Sequence, residues 1–190
     1  MATAPHATQA EFGPPVAPRP ALIRRVQIGG LTKHDLLLEL KRSGVLLNEA
    51  GRALLLHDSF TTASNISVVE TSEISVGDLG FSHGATIAEI FDRGSQIGLA
   101  PCPAELAPHL RLHYRDQPEG AVGQLPTRHR APPGSLTVAS KPTAIDEDIP
   151  QGFYLRRIDG VLWLRGYRSG PEHVWSPEDR LLFAVHPIAA

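Results

Sequence analysis

The chain has 190 residues, a formal net charge of −2 and 42% apolar residues. That length fits one domain or two small ones, and the apolar fraction is enough for a packed core. The near-neutral charge balance excludes a generally basic nucleic-acid binder, and a single cysteine, Cys102, excludes an intrachain disulfide.

No apolar run reaches the length of a membrane-spanning helix. The first residues, Met-Ala-Thr-Ala-Pro-His, have neither the basic nor the apolar region of a secretion signal. A soluble cytoplasmic protein is the expectation. Arginine far outnumbers lysine, which occurs only at Lys33, Lys41 and Lys141. Arginine suits bidentate recognition of carboxylate and phosphate, although abundant Arg, Ala, Pro and Gly also accompany high-GC coding.

Residues 1–20 are Ala, Pro and Thr with few large apolar groups, which predicts a disordered tail. Residues 21–28 read as a strand closed by Gly29-Gly30. Thr32 then opens a helix, with Asp35 placed to complete a capping box, Leu36, Leu37 and Leu40 on one side, and Gly44 as the left-handed stop. Asn48 is placed to cap a second short helix, weakened by Gly51. Residues 67–76 look extended, with Val69, Thr71, Glu73 and Ser75 on one face. Thr86 and Glu89 repeat the capping pattern before a third helix, whose stripe is Ile87, Ile90 and Phe91 and whose stop is Gly98.

Thr32, Asp35, Leu36, Gly44 and Val45 align at constant offset with Thr86, Glu89, Ile90, Gly98 and Leu99. Internal duplication is one reading; the other is that most helices share a cap, a stripe and a glycine stop. A helical turn is expected at 103–107 and strand alternation at 110–114. Residues 116–134 have no period and many breakers, as functional or disordered loops do. Residues 135–139 read as a strand, 146–148 as an acidic loop, 176–179 as a helical turn and 180–185 as the last strand. The organisation expected is a tail (1–20), a mixed strand–helix region (21–115), a long Pro/Gly loop (116–134) and a β-rich region (135–190).

Residues 152–167 carry the firmest local signal. Asp159-Gly160 between two β-favouring runs predicts a hairpin with a type I′ turn, because Gly and, less readily, Asp tolerate positive φ. That turn pairs Ile158 with Val161, and opposed residues share a face. One face then carries Phe153, Leu155, Leu162 and Leu164, with Arg157 near the turn. The other carries Tyr154, Arg156, Trp163 and Arg165, with Ile158 and Val161 at the turn. The second face reads either as ordinary cross-strand stacking or as a surface for bases or an anionic partner. Arg128 and Arg130, around His129 on the long loop, would extend such a surface.

Catalytic residue types occur without catalytic motifs. His109 and His113 are four apart, with Cys102 and Glu105 upstream, a spacing that puts both imidazoles on one face; Arg111 between them opposes a divalent cation. His57-Asp58-Ser59 and Lys33-His34-Asp35 are read as helix-end residues, since adjacency in sequence is not triad geometry. Cys102 precedes Pro103 at a helix start, where a dipole could activate it; an inert, half-buried thiol is the other reading. Walker, dinucleotide, His-Glu-x-x-His and Gly-x-Ser-x-Gly motifs are all missing, so no cofactor and no metal are expected.

The phrases Leu-Arg-Leu-His-Tyr-Arg-Asp-Gln-Pro-Glu-Gly (110–120), Ala-Pro-Pro-Gly-Ser-Leu-Thr-Val-Ala-Ser (131–140), the hairpin itself (152–167) and Glu-His-Val-Trp-Ser-Pro-Glu-Asp-Arg (172–180) resemble an uncharacterised family of bacterial hypothetical proteins. The likeness spans everything after the tail. It implies a bacterial cytoplasmic protein and brings no catalytic residue.

The expectation is therefore an α+β fold, with short helices in the N-terminal two-thirds and a small antiparallel sheet with the hairpin at the C-terminus. The function expected is non-enzymatic binding of a protein or anionic ligand through Tyr154, Arg156, Trp163, Arg165, Arg128 and Arg130. A nucleic-acid binder is one alternative. A hydrolase or transferase using His109, His113 and Glu105 is the other.

Overall fold

A computed structural model describes residues 22–120, 131–143 and 148–185. In chain order the elements are β1 (Leu22–Ile28), α1 (Lys33–Arg42), β2 (Leu46–Leu47), α2 (Glu49–Leu56), β3 (Ser67–Ser75), β4 (Ala85–Thr86), α3 (Ile87–Gln96) and β5 (Leu99–Ala100). Then come α4 (Leu106–His113), β6 (Leu136–Val138), β7 (Gly152–Ile158), β8 (Val161–Tyr167), β9 (Val174–Trp175) and β10 (Arg180–Val185). No helix among the described residues is long and apolar enough to cross a membrane.

Both predicted capping boxes form. Thr32 accepts from the Asp35 N–H and Asp35 accepts from the Thr32 N–H; Thr86 and Glu89 do the same. Each satisfies two orphan N–H groups of a first turn. Asn48 does more than cap. Its Oδ1 accepts from Gly51 N–H and Gly166 N–H, both at 2.8 Å, and its Nδ2 donates to the Gly166 carbonyl at 2.9 Å. The side chain thereby continues the parallel ladder between β2 and β8 by one residue. Gly166 is required there: a Cβ would lie 2.5 Å from the backbone of Ala50 and Gly51.

Eight strands form one sheet, in the order β1-β3-β10-β6-β7-β8-β2, with β5 also on β10. The pairs β10–β6 and β8–β2 are parallel and the others antiparallel. A separate two-stranded sheet joins β4 to β9. This overturns the expected small antiparallel sheet at the C-terminus. The main sheet is large and mixed, and it recruits β1 and β3 from the N-terminal half. The cause is non-local pairing: β10 lies between β3 and β6. Leu181, Leu182 and Phe183 are all fully buried, and a strand covered on both faces reads as a continuous apolar run.

The two faces carry two cores. On one, Val26, Ile28, Leu182, Val138, Phe153, Leu155 and Leu164 meet Leu36 and Leu40 of α1, Leu54 and Leu55 of α2, and Leu106 and Leu110 of α4. On the other, Ile74, Leu181 and Phe183 meet Ile90 of α3 and Ala85 and Trp175 of the small sheet. Each such side chain contributes about 1.5–3 kcal/mol of burial. The rings of Phe60 and Phe153 on one side, and of Phe91 and Phe183 on the other, pack edge to face at 6.0 and 6.2 Å. α3 and the small sheet pack on the β3–β10 part of their face.

Two local expectations are also corrected. Residues 110–113 are helical, not extended, and Tyr114 is the C-cap, because Leu106 and Leu110 point one stripe at the core; Pro108 is tolerated in the first turn, where its missing N–H has no partner to lose. Residues 176–179 form a turn, not a helical turn. Asp179 takes the Ser176 N–H at 2.8 Å, and the Ser176 carbonyl takes the Asp179 N–H at 2.9 Å.

Candidate functional site

The hairpin register is the predicted one, from Ile158↔Val161 out to Gly152↔Tyr167. Asp159 has φ 50° and Gly160 φ 77°, both in the left-handed region that a type I′ turn needs. Phe153, Leu155 and Leu164 are fully buried, and Leu162 packs against the same core. Tyr154, Arg156, Trp163 and Arg165 are half-buried on the opposite face. That face is partly shielded, with the Arg156 and Arg165 Nε atoms out of contact with solvent. Its inner end is Tyr167, whose ring meets Trp175 edge-on at 5.5 Å.

Arg165 is the centre of this strip. Its guanidinium carbon lies 5.1 Å from the Trp163 ring centroid and 6.0 Å from that of Tyr154. Five other arginines find carboxylates: Arg24 and Arg180 share Glu73, Arg25 pairs with Glu70, Arg42 with Glu39 and Arg157 with Glu119. Among the described residues Arg165 has rings in place of a carboxylate, and its Nε has no hydrogen-bond acceptor.

The flank of the strip is pinned from β7. The Gly120 N–H donates to the Arg157 carbonyl at 3.1 Å, and Glu119 accepts from the Gly160 N–H at 3.2 Å. A Cβ on Gly120 would sit 3.0 Å from Arg156 Nε and 2.8 Å from the Pro133 carbonyl, so bare backbone is needed here. Arg128 and Arg130 lie outside the described residues.

The titratable cluster at α4 is a set of loop clamps. His109 Nε2 accepts from the Gly29 N–H at 3.3 Å. The Glu105 carboxylate accepts from the Ala63 N–H at 3.1 and 3.2 Å. The two side chains are 3.9 Å apart and both are buried. Burial raises the Glu105 carboxyl above its ordinary range, opposed by the Ala63 N–H. Burial, then repulsion from His113, lowers the His109 imidazole. Both shifts favour the uncharged forms. His113 is exposed, so helical spacing does not bring the two imidazoles into one pocket. No group of three or more His, Cys, Asp or Glu among the described residues could hold a metal ion.

Cys102 is buried, its Sγ 3.4 Å from the Leu182 carbonyl, and burial pushes its thiol up to about 12. A thiol held protonated is a poor nucleophile. His57 and Lys33 do sit at helix ends, and the fold joins them: Lys33 Nζ donates to the His57 carbonyl at 2.6 Å. His57 Nδ1 accepts from the Ser59 N–H at 3.1 Å and lies 2.6 Å from Ser59 Oγ. That geometry closes a turn after α2.

Sequence reasoning missed two features. Arg111 is fully buried, with no carboxylate paired to it among the described residues. Nη1 donates to Gln117 Oε1 at 2.5 Å, while Nε and Nη2 have no acceptor. Desolvation lowers its pKa to about 10. The signal was available only as the misread 110–114 alternation. The second feature is a pair of cavities flanking Lys141, of about 490 and 660 Å³. Their walls come from distant segments, so no local pattern announces them. Compared with protein-family models, curated proteins and solved structures, the chain matches none.

Proposed function

We propose that the protein is a non-enzymatic binding protein that engages an anionic partner through the β7–β8 strip of Tyr154, Arg156, Trp163 and Arg165. The observation that carries this reading is the state of Arg165. It is a half-exposed guanidinium laid over aromatic rings, with no carboxylate among the described residues. Each Arg–ring contact contributes about 0.5–1 kcal/mol where exposed. That orients the cation without neutralising it, and leaves its charge for an incoming carboxylate or phosphate. A nucleic-acid partner is less well supported, because Arg165 occupies the side of Trp163 on which a base would stack. The hydrolase or transferase alternative loses its support with the clamp roles of Glu105 and His109.

Affinity capture from lysate with the wild type, Trp163→Ala/Arg165→Ala and an Arg25→Ala control tests the proposal. The partner recovered by wild type and control is expected to be lost from the double variant. It is also expected to weaken as salt rises to about 1 M, where the Debye length falls to roughly 3 Å. Equal recovery by all three proteins would remove the strip as the binding surface.

A further inference from the structure

The larger cavity lies between the start of α3, the segment after β6 and the segment after β8. Ile87, Phe91, Pro142 and Pro171 give it apolar walls. Its volume of about 660 Å³ falls within the roughly 300–1,000 Å³ of clefts that take small organic ligands. Polar groups are few and converge from different segments. Among the described residues of the lining, Lys141 is the one ionised side chain and no Asp or Glu accompanies it. No hydrogen bond or ion pair among the described residues engages its ammonium or the Tyr167 hydroxyl. The Tyr167 ring is set by packing: it meets Trp175 edge-on at 5.5 Å and lies where Gly152 has no Cβ. Burial raises the phenol's pKa, so the hydroxyl remains a donor.

We infer that this cavity binds a small aromatic or aliphatic carboxylate, its apolar body between Phe91, Ile87, Pro142 and Pro171 and its carboxylate on Lys141 and the Tyr167 hydroxyl. The charge selects the class. One exposed ammonium and one hydroxyl donor at an apolar cleft match one carboxylate, whereas a cation would meet no counter-charge among the described residues and a neutral molecule would forgo the charge-assisted contact. The site adjoins the inner end of the hairpin strip at Tyr167 but uses none of Tyr154, Arg156, Trp163 and Arg165, so either can fail without the other.

Naphthylacetate and its neutral amide, titrated into the full chain and followed by calorimetry, test it. The carboxylate is expected to bind saturably and at least about tenfold more tightly than the amide, a difference set by the charge-assisted contact. Lys141→Gln should bring the carboxylate down to the level of the amide. Ala88→Trp adds a ring from an exposed position into the cavity and should abolish both titrations, with unchanged circular dichroism showing that the chain still folds. The inference is overturned if neither compound saturates, if the amide binds as tightly as the carboxylate, or if Ala88→Trp binds like the wild type.

Discussion

Arg111 shows how a single side chain can oppose the fold that contains it. Its guanidinium is fully buried; among the described residues two of its nitrogens have no acceptor and its one hydrogen bond goes to a neutral amide. An unsatisfied buried donor costs about 1–3 kcal/mol, and removing an unpaired buried charge is often neutral or favourable. Arg111→Met, which keeps most of the volume, is expected to melt at or above the wild-type temperature. Arg111→Ala should instead lose about 2–5 kcal/mol to the cavity it leaves. Thermal melts of the two variants separate the terms; a Met variant as unstable as the Ala variant would mean that the charge itself is needed. His109 sets a pH limit by the same physics. Its folded-state pKa lies below the ordinary 6.5, so the unfolded chain holds the proton more tightly. Stability is complete above that value and declines as pH falls through it toward the folded pKa. Glu105 acts with the opposite sign: its folded pKa lies above 4.5, so its contribution is present below 4.5 and is lost as pH rises toward the folded value. Urea denaturation at about pH 7.5 and pH 5.5 should show a smaller acid loss for His109→Gln than for wild type, since glutamine keeps an acceptor for Gly29 without titrating.

Among the elements, Asn48 is the most connected cap. It serves the first turn of α2 and both backbone groups of Gly166 on β8. Asn48→Ala removes all three bonds, and cap loss with newly unpaired strand groups should cost about 2–4 kcal/mol. A lower urea midpoint with unchanged slope would register it. Helix starts and the hairpin were legible because their determinants are local: Thr32 with Asp35, Thr86 with Glu89, and Asp159-Gly160 between alternating runs. The Asn48 cap was legible, but its second task depends on a glycine more than a hundred positions away. α4 was misread because Leu-Arg-Leu-His-Tyr alternates, and the competing spacing of Leu106 and Leu110 is short and interrupted by Pro108. The two capped segments keep their likeness through Gly44 and Gly98, both at positive φ (70° and 80°). They part at their short strands, since β2 runs parallel to β8 while β5 runs antiparallel to β10.

At the scale of the molecule, sheet order was the least legible property. Every long strand was visible in the sequence, but nothing local says that residues 180–185 pair with 71–75 on one side and 136–138 on the other. The one available signal was the unbroken Leu181-Leu182-Phe183 run, which marks a strand enclosed on both faces. The candidate strip was legible because hairpin register follows from its turn. The Lys141 cavity was not, since its walls come from three separate segments.

β10 has a consequence for how the chain is made. Among the described residues it is the one strand joining the β1–β3 pair to the β6–β7–β8 group, and it is synthesised after both. During translation each half must wait with one flank unpaired, carrying apolar residues such as Ile74 and Val138 that are buried in the finished fold. Completion of the sheet is thereby deferred until residues 180–185 have been made. Over that interval the two waiting flanks are where association with a neighbouring ribosome's product, or shelter by a chaperone, would occur.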